Sequence, residues 1–309
     1  MKTIFQKIYR KLYWKVYRPK KVIQKTYESW SAKNYNPQPT ISFVIQTHNK
    51  SRIVLNFIQK LREVENAEII LIDDGSEKNE SIFLIDKLTG ANEFILKAND
   101  LYEVITYDRA IYLSRGKYVA LLQDDDDFKD LSWVDDALKY FKKFNDLVFL
   151  GGRLGMDMLP FEKTADNIRG EYEMSNEFGQ RKNSFKYKFV GGDSEPEDFK
   201  FTQVVIRAPM WVNRQLFIDK IKHIDHSFAP FQWDDAEVCL RAYSLGLKVG
   251  WYKINYQVGG GAIGGMRIWN KDLHHRQDEV NANKIYQLYG NRFNEFQAIV
   301  DKANKDIIE

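Results

Sequence analysis

A chain of 309 residues, 44% apolar and 14% aromatic, has the material for one large α/β domain or two small ones. Its single cysteine, Cys239, excludes an internal disulfide framework and any cysteine-built zinc site, and points to a reducing compartment. No apolar run reaches the roughly 18 residues of a membrane span, and residues near the N-terminus lack the apolar segment of a signal peptide, so a cytosolic location is expected. The net charge of +3 is unevenly spread: nine of the 46 Lys and Arg lie in residues 1–27, which hold none of the 43 Asp and Glu, leaving a net −6 on the rest.

In that basic head Ile4, Phe5, Ile8, Tyr9, Leu12, Tyr13, Val16 and Tyr17 recur at steps of three and four. As a helix they form one apolar and aromatic face opposite Lys and Arg, the pattern of a helix lying on an anionic membrane surface. Docking on the protein's own body and nucleic-acid binding are the alternatives, and the regular apolar stripe argues against nucleic acid. The proline-marked stretch Ser31 to Pro39 reads as a linker, so residues 1–39 form an N-terminal amphipathic helical segment and the main body begins near Thr40.

From there strands and helices alternate. Strands are expected at Ile41 to Gln46, Glu68 to Asp73, Glu93 to Leu96 and Lys117 to Gln123, with helices at Ser51 to Glu65, Asn79 to Leu88 and Leu101 to Ser114. Such alternation gives βαβ units in a doubly wound, mostly parallel, Rossmann-like sheet with helices on both faces, whose ligands bind beyond the carboxyl ends of the strands. Three of those ends are polar: Thr47-His48-Asn49, Asp73-Asp74-Gly75-Ser76 and Asp124 to Asp127. Four adjacent carboxylates at a strand end require a cation, and a divalent metal held by oxygens is the natural candidate. A solvated acidic turn is the plainer alternative, and Asp127 is the one best suited to cap a following helix.

Residues 151–200 carry scattered glycines and charges without a sustained period and read as irregular loops and short strands. A strand at Gln203 to Ile206 and a helix from Pro209 to Ile221 follow. Trp233-Asp234-Asp235-Ala236 opens another helix, with its acidic pair at the N-terminus where capping is the ordinary role, and Lys248 to Tyr252 returns as a strand. Gly259 to Gly265 is a glycine loop able to close over a ligand or merely to connect. The last residues, 271–309, read as two helices.

Taken in order, ISFVIQTHNKS, IILIDDGS, YLSRGKYVALLQDDDD and WDDAEVCLRAYSLGLKV resemble the successive motifs of the family 2 glycosyltransferases of the GT-A fold. The resemblance covers about residues 40–253. It implies a GT-A domain over residues 40–270, with a nucleotide-binding half at 40–127 and an acceptor-binding half at 128–270. By similarity Thr47, Asn49, Asp73 and Asp74 belong to the donor site of a sugar nucleotide. The third strand end resembles the family's DxD motif, with Gln123 in place of its first aspartate. That implies Asp125 as ligand of Mn2+ or Mg2+, Asp126 as a possible substitute, and Gln123 and Asp124 on the donor. Asp235 matches the family's general base, and Asp234 stands where glutamate is common. Tyr107-Asp108-Arg109-Ala110 departs from the usual Arg-Asn-x-Gly, leaving Arg109 as the candidate phosphate contact.

The resemblance implies a metal-dependent, inverting transfer from a nucleotide-sugar to a hydroxyl of a saccharide or lipid-linked saccharide, in surface polysaccharide synthesis. With the basic head, the expected place is the inner face of the cell membrane, as a peripheral protein. A sugar nucleotidyltransferase is disfavoured because no glycine-rich loop follows the first strand, and a non-catalytic binding protein on the same fold is the remaining rival.

Overall fold

The computed structural model describes residues 36–88, 90–160, 168–175, 181–192, 195–207, 209–258 and 271–308. The amphipathic head and the Gly259 to Gly265 loop lie outside the described residues.

Ile41–Thr47 (β1), Ala67–Asp74 (β2), Glu93–Ala98 (β3) and Tyr118–Gln123 (β4) pair in parallel in the spatial order β3-β2-β1-β4. β1, β2 and β4 are almost wholly buried, which is why they read as continuous apolar runs rather than alternating ones. The helix Ser51–Leu61 (α1) buries Val54, Phe57, Ile58 and Leu61, a spacing of three and four that places one face on the core. Lys78–Lys87 (α2) packs against α1, and Tyr102–Leu113 (α3) lies on β1 and β2. Gly116 opens β4 because an added Cβ would stand 2.5 Å from the Ser42 nitrogen.

At the amino ends of these strands Glu68, 1% exposed, accepts hydrogen bonds from the Ser42 hydroxyl at 2.6 Å and from the Arg115 backbone and Nε, both at 2.7 Å. This ion pair ties β1, β2 and the turn before β4 together, on the edge opposite the polar strand ends.

The sheet continues through Leu147–Gly151 (β6), Lys248–Tyr252 (β13), Phe199–Phe201 (β10) and Met210–Asn213 (β12), giving eight strands in the order β10-β13-β6-β12-β4-β1-β2-β3. Six run the same way, while β12 and β10 run against their neighbours. The expected mixed α/β architecture is thus present, and a first correction falls within this sheet. Pro209 to Ile221 is not a single helix: β12 fills the gap between β4 and β6 and hydrogen-bonds both. Met210, Trp211 and Val212 are at most 2% exposed, so insertion into the core outweighs the local helix signal. Helix begins only at Arg214, capped by the Asn213 side chain accepting from the Leu216 N–H at 3.3 Å, and passes into a π turn at Phe217–Ile221.

A second correction concerns residues 151–200. Leu154–Pro160 (β7), Ile168–Ser175 (β8), Arg181–Val190 (β9) and Val204–Ile206 (β11) form a four-stranded antiparallel sheet in the order β11-β7-β9-β8. Its strands owe their regularity to pairing partners far along the chain, which no local period reports. Asp126–Phe128 (β5) pairs with Tyr256–Val258 (β14), so Asp127 is not a helix cap. It meets Lys60 Nζ at 2.7 Å, and the next helix, Ser132–Lys143 (α4), starts four residues after β5.

Asp234–Ser244 (α5) packs on β11 and β13, Lys271–Tyr289 (α6) on β8 and β9, and Phe293–Ile308 (α7) on β7 and β10. The two expected C-terminal helices therefore clamp the second sheet. Among the described residues no helix is long and apolar enough to cross a membrane.

Candidate functional site

The parallel register aligns Thr47 with Asp73 and Gln46 with Gln123, so the polar ends of β1, β2 and β4 share one edge. There the chain turns through Asp124, Asp125 and Asp126 into β5. Asp124 is buried; its Oδ1 accepts from Lys50 Nζ at 2.8 Å and its Oδ2 from the His48 N–H at 3.2 Å. Burial pushes the Asp124 carboxyl up, and Lys50 opposes that shift. Asp126 is buried too, and its Oδ2 accepts from the Gln123 N–H at 2.8 Å, closing the turn on itself. Burial raises its carboxyl well above the usual range, and its buried Oδ1 accepts no hydrogen bond. Asp125 is more open, its side chain 22% exposed and its Oδ2 4.0 Å from Lys50 Nζ.

Among the described residues no group of three or more acids, histidines or cysteines forms a ready metal cage. The open Asp125 carboxylate and the orphaned Asp126 oxygen fit instead a hard cation held by one or two carboxylates, the remaining positions being supplied by phosphate oxygens and water.

The other expected donor residues sit at the same edge but are largely engaged within the protein. Asp73 accepts from Lys97 Nζ at 2.8 Å, from the Ser76 N–H at 3.2 Å and from the Ser81 hydroxyl. Burial raises its carboxyl, but Lys97, Ser76 and Ser81 together outweigh that and leave it below its ordinary value. Asp74 accepts from the Leu101 and Tyr102 N–H groups at 3.0 and 2.8 Å and from Gln46 Nε2 at 2.9 Å, tying β2 to the start of α3. Asn49, at φ 54°, bridges to Ser76 Oγ and to the Glu77 N–H. The buried Thr47 hydroxyl has no hydrogen-bond partner. His48 Nδ1 lies 2.9 Å from the Asp74 carbonyl oxygen, at the same edge.

The acidic pair of α5 is linked to this edge through side chains. Asp234, 1% exposed, accepts from Arg207 Nη2 at 2.8 and 2.7 Å. The Arg207 guanidinium lies over the Tyr107 ring, 5.0 Å from its centroid, and 3.6 Å from Glu103. Tyr107 donates to the Leu122 carbonyl at 2.8 Å, and Gln123 Nε2 lies 3.4 Å from Glu103. A polar chain therefore runs from the Asp126 turn through Gln123, Glu103 and Arg207 to Asp234. Burial raises the Glu103 carboxyl. Asp235, partly exposed, is pushed up to about 6, first by burial and next by the Asp234 charge, with Arg207 opposing.

The loop entering α5 holds two successive non-glycine residues in the left-handed region, Gln232 at φ 74° and Trp233 at φ 67°. Buried Asn281 of α6 restrains it, its Nδ2 within 2.9 Å of the carbonyls of Phe228, Phe231 and Gln232, and Trp233 Nε1 donates to Asp278 at 2.7 Å. Arg109, by contrast, is exposed on α3, and the guanidinium that reaches the site carboxylates is that of Arg207. Lys50, Glu103, Arg207 and Asn281 escaped the sequence reading. Lys50 directly follows the His48-Asn49 motif, a local signal; Arg207 meets Asp234 across 27 residues, and Asn281 reaches its loop across about 50, without any local pattern.

No curated protein matches the chain significantly. Among solved structures, GalNAc-T7 with UDP, GalNAc and Mn2+ is similar at TM-score 0.50 and 14% identity over 70% of this chain and 42% of that one. The mannosyltransferase PcManGT from Pyrobaculum calidifontis, with GDP-Man and Mn2+, and a fragment of S. aureus TarS both align at TM-score 0.47. Their identities are 10% and 12%, over 72% and 70% of this chain and 59% of each of theirs. The chain thus spans less than two thirds of each of these proteins, and at such identities the likeness is one of fold. The model of glycosyl transferase family 2 matches residues 42–209, more than half of the chain, from β1 to the residue before β12. The chain belongs to glycosyl transferase family 2.

Proposed function

We propose that this protein is a metal-dependent, inverting glycosyltransferase that moves a sugar from a nucleotide-sugar to a hydroxyl of a saccharide or lipid-linked saccharide, in surface polysaccharide synthesis. The observation that carries the reading is that two acidic loci, Asp124 to Asp126 and Asp234-Asp235, are joined through Gln123, Glu103 and Arg207. The same fold in GalNAc-T7 was solved with UDP, GalNAc and Mn2+, and that ligand class is carried to this chain as part of the proposal.

Asp125, with Asp126 beside it, would hold Mn2+ or Mg2+, which when bound neutralises charge on the donor diphosphate. Thr47, Asn49, Asp73, Asp74, Gln123 and Asp124 line the donor edge. An acceptor hydroxyl must lose its proton as it attacks, and a carboxylate titrating near 6 is both ionised at neutral pH and basic enough to take it. Asp235 is assigned that role. Asp234, held by Arg207, supplies the neighbouring charge that raises Asp235. Attack from the far side of the sugar inverts its configuration without a covalent enzyme intermediate. Residues 128–270, with the second sheet, form the acceptor side of the proposal, and residues 1–27 attach the protein to anionic membrane at the inner face of the cell membrane.

A panel of nucleotide-sugars with candidate acceptors, assayed with Mn2+, Mg2+ or chelator, tests the reading; product stereochemistry is read by NMR. The second reading, a nucleotide- or saccharide-binding protein without turnover, draws on the internal engagement of Asp73 and Asp74. It requires nucleotide binding with no release of nucleoside diphosphate under any metal condition. Co-sedimentation with anionic liposomes tests the membrane assignment, and equal binding after removal of residues 1–30 would sink it.

A further inference from the structure

We propose that Lys50 is a resident counter-ion of Asp124 and Asp125 that a divalent cation must displace, so that metal and nucleoside diphosphate bind cooperatively. The inference rests on the donor-site reading above and assigns a role to a residue that reading does not use.

Lys50 Nζ stands 2.8 Å from Asp124 Oδ1 and 4.0 Å from Asp125 Oδ2, and its side chain is only 13% exposed. It is the cation that a run of aspartates at a strand end requires. A divalent ion held by Asp125 would share that carboxylate with an ammonium only 4.0 Å from it. The ammonium and a divalent ion repel, and both draw on the Asp124 and Asp125 carboxylates, two negative charges against three positive.

The lysine is built to yield. Its backbone carbonyl accepts the Val54 N–H at 3.0 Å at the start of α1, so displacing the ammonium need turn only the four-carbon side chain and not the main chain. Asp124 keeps the His48 N–H when Lys50 leaves. A diphosphate arriving at the same edge offers the displaced ammonium a new anionic partner. Metal alone must therefore expel Lys50 into less favourable surroundings, whereas metal with diphosphate does not. This difference is a coupling free energy and works in both directions.

Mn2+ titrations followed by electron paramagnetic resonance and calorimetry, with and without UDP or GDP, test this on the wild type, Lys50→Met and Lys50→Arg. In the wild type, nucleotide should tighten Mn2+ binding by roughly 5- to 150-fold, the usual range of such coupling. Lys50→Met should bind Mn2+ alone roughly tenfold more tightly and lose a matching part of the coupling, while Lys50→Arg should retain it. Should Lys50→Met unfold, Lys50→Gln takes its place. Nucleotide binding with identical Mn2+ affinities in wild type and Lys50→Met overturns the inference and leaves the donor site standing. Failure of every protein to bind either nucleotide, with or without Mn2+, overturns both.

Discussion

Arg207 Nη2 contacts both carboxylate oxygens of Asp234, at 2.8 and 2.7 Å, and both residues are buried. Removing one partner of a buried pair leaves the other charge uncompensated. Arg207→Met is therefore expected to cost about 3–5 kcal/mol of stability, and Arg207→Lys less. Urea denaturation of the three proteins checks this.

The environment of Asp235 sets a pH dependence. As a base it must be ionised, so kcat/KM should fall as pH drops through about 6. Asp234 raises that value, Glu103 raises it slightly, and Arg207 lowers it. Asp234→Asn removes the nearest like charge and frees Arg207 to face Asp235, so it should move the acid limb to lower pH. An unmoved limb would assign the titration to another group.

The same carboxyl links pH to stability. Its folded value, about 6, lies above its ordinary value of 3.8, so folding favours the protonated form. The contribution of Asp235 to stability is full below about 4, declines as pH rises between about 4 and 6, and is lost above. Asp235→Asn should accordingly be more stable than wild type at pH 7 to 8, with the difference vanishing toward pH 4. It should retain donor binding while losing roughly 10²- to 10⁴-fold in transfer. Parental transfer by Asp235→Asn would remove it as the base.

Asp125→Ala should abolish the metal-dependent part of the thermal stabilisation given by nucleoside diphosphates, and chelation should reproduce the effect in the wild type. Asp127→Ala, at a carboxylate paired with Lys60 near the surface, is the control and should leave that stabilisation in place.

Asn281 holds the left-handed Gln232-Trp233 corner from another helix. Asn281→Ala leaves three carbonyls without this donor and should cost about 1–3 kcal/mol. Because that corner leads directly into Asp235, the proposed base, kcat should fall while nucleotide affinity is retained. Equal losses in both would make Asn281 a residue of general stability.

What could be read in advance followed local rules. β1, β2 and β4 were legible because buried parallel strands are continuous apolar runs, and α5 because an acidic first turn precedes buried Val238, Leu240 and Ala242. Beyond β4 the non-local pairings take over. Met210–Asn213 is a strand because two strands left a gap of its width, and Leu154–Pro160 and Arg181–Val190 are regular because each supplies the other's hydrogen bonds.

The amino-acid sequence by itself determined the family, the polar strand ends and the acidic pair, since these are short patterns whose chemistry travels with the residues. Only the tertiary structure decided who partners whom. Asp73 and Asp74 are engaged by Lys97 and by the start of α3, Lys50 occupies the acidic turn, and Arg207 pairs with Asp234. A carboxylate's role follows from the nearest cation and the depth of burial, and both arise from residues brought together across tens of positions.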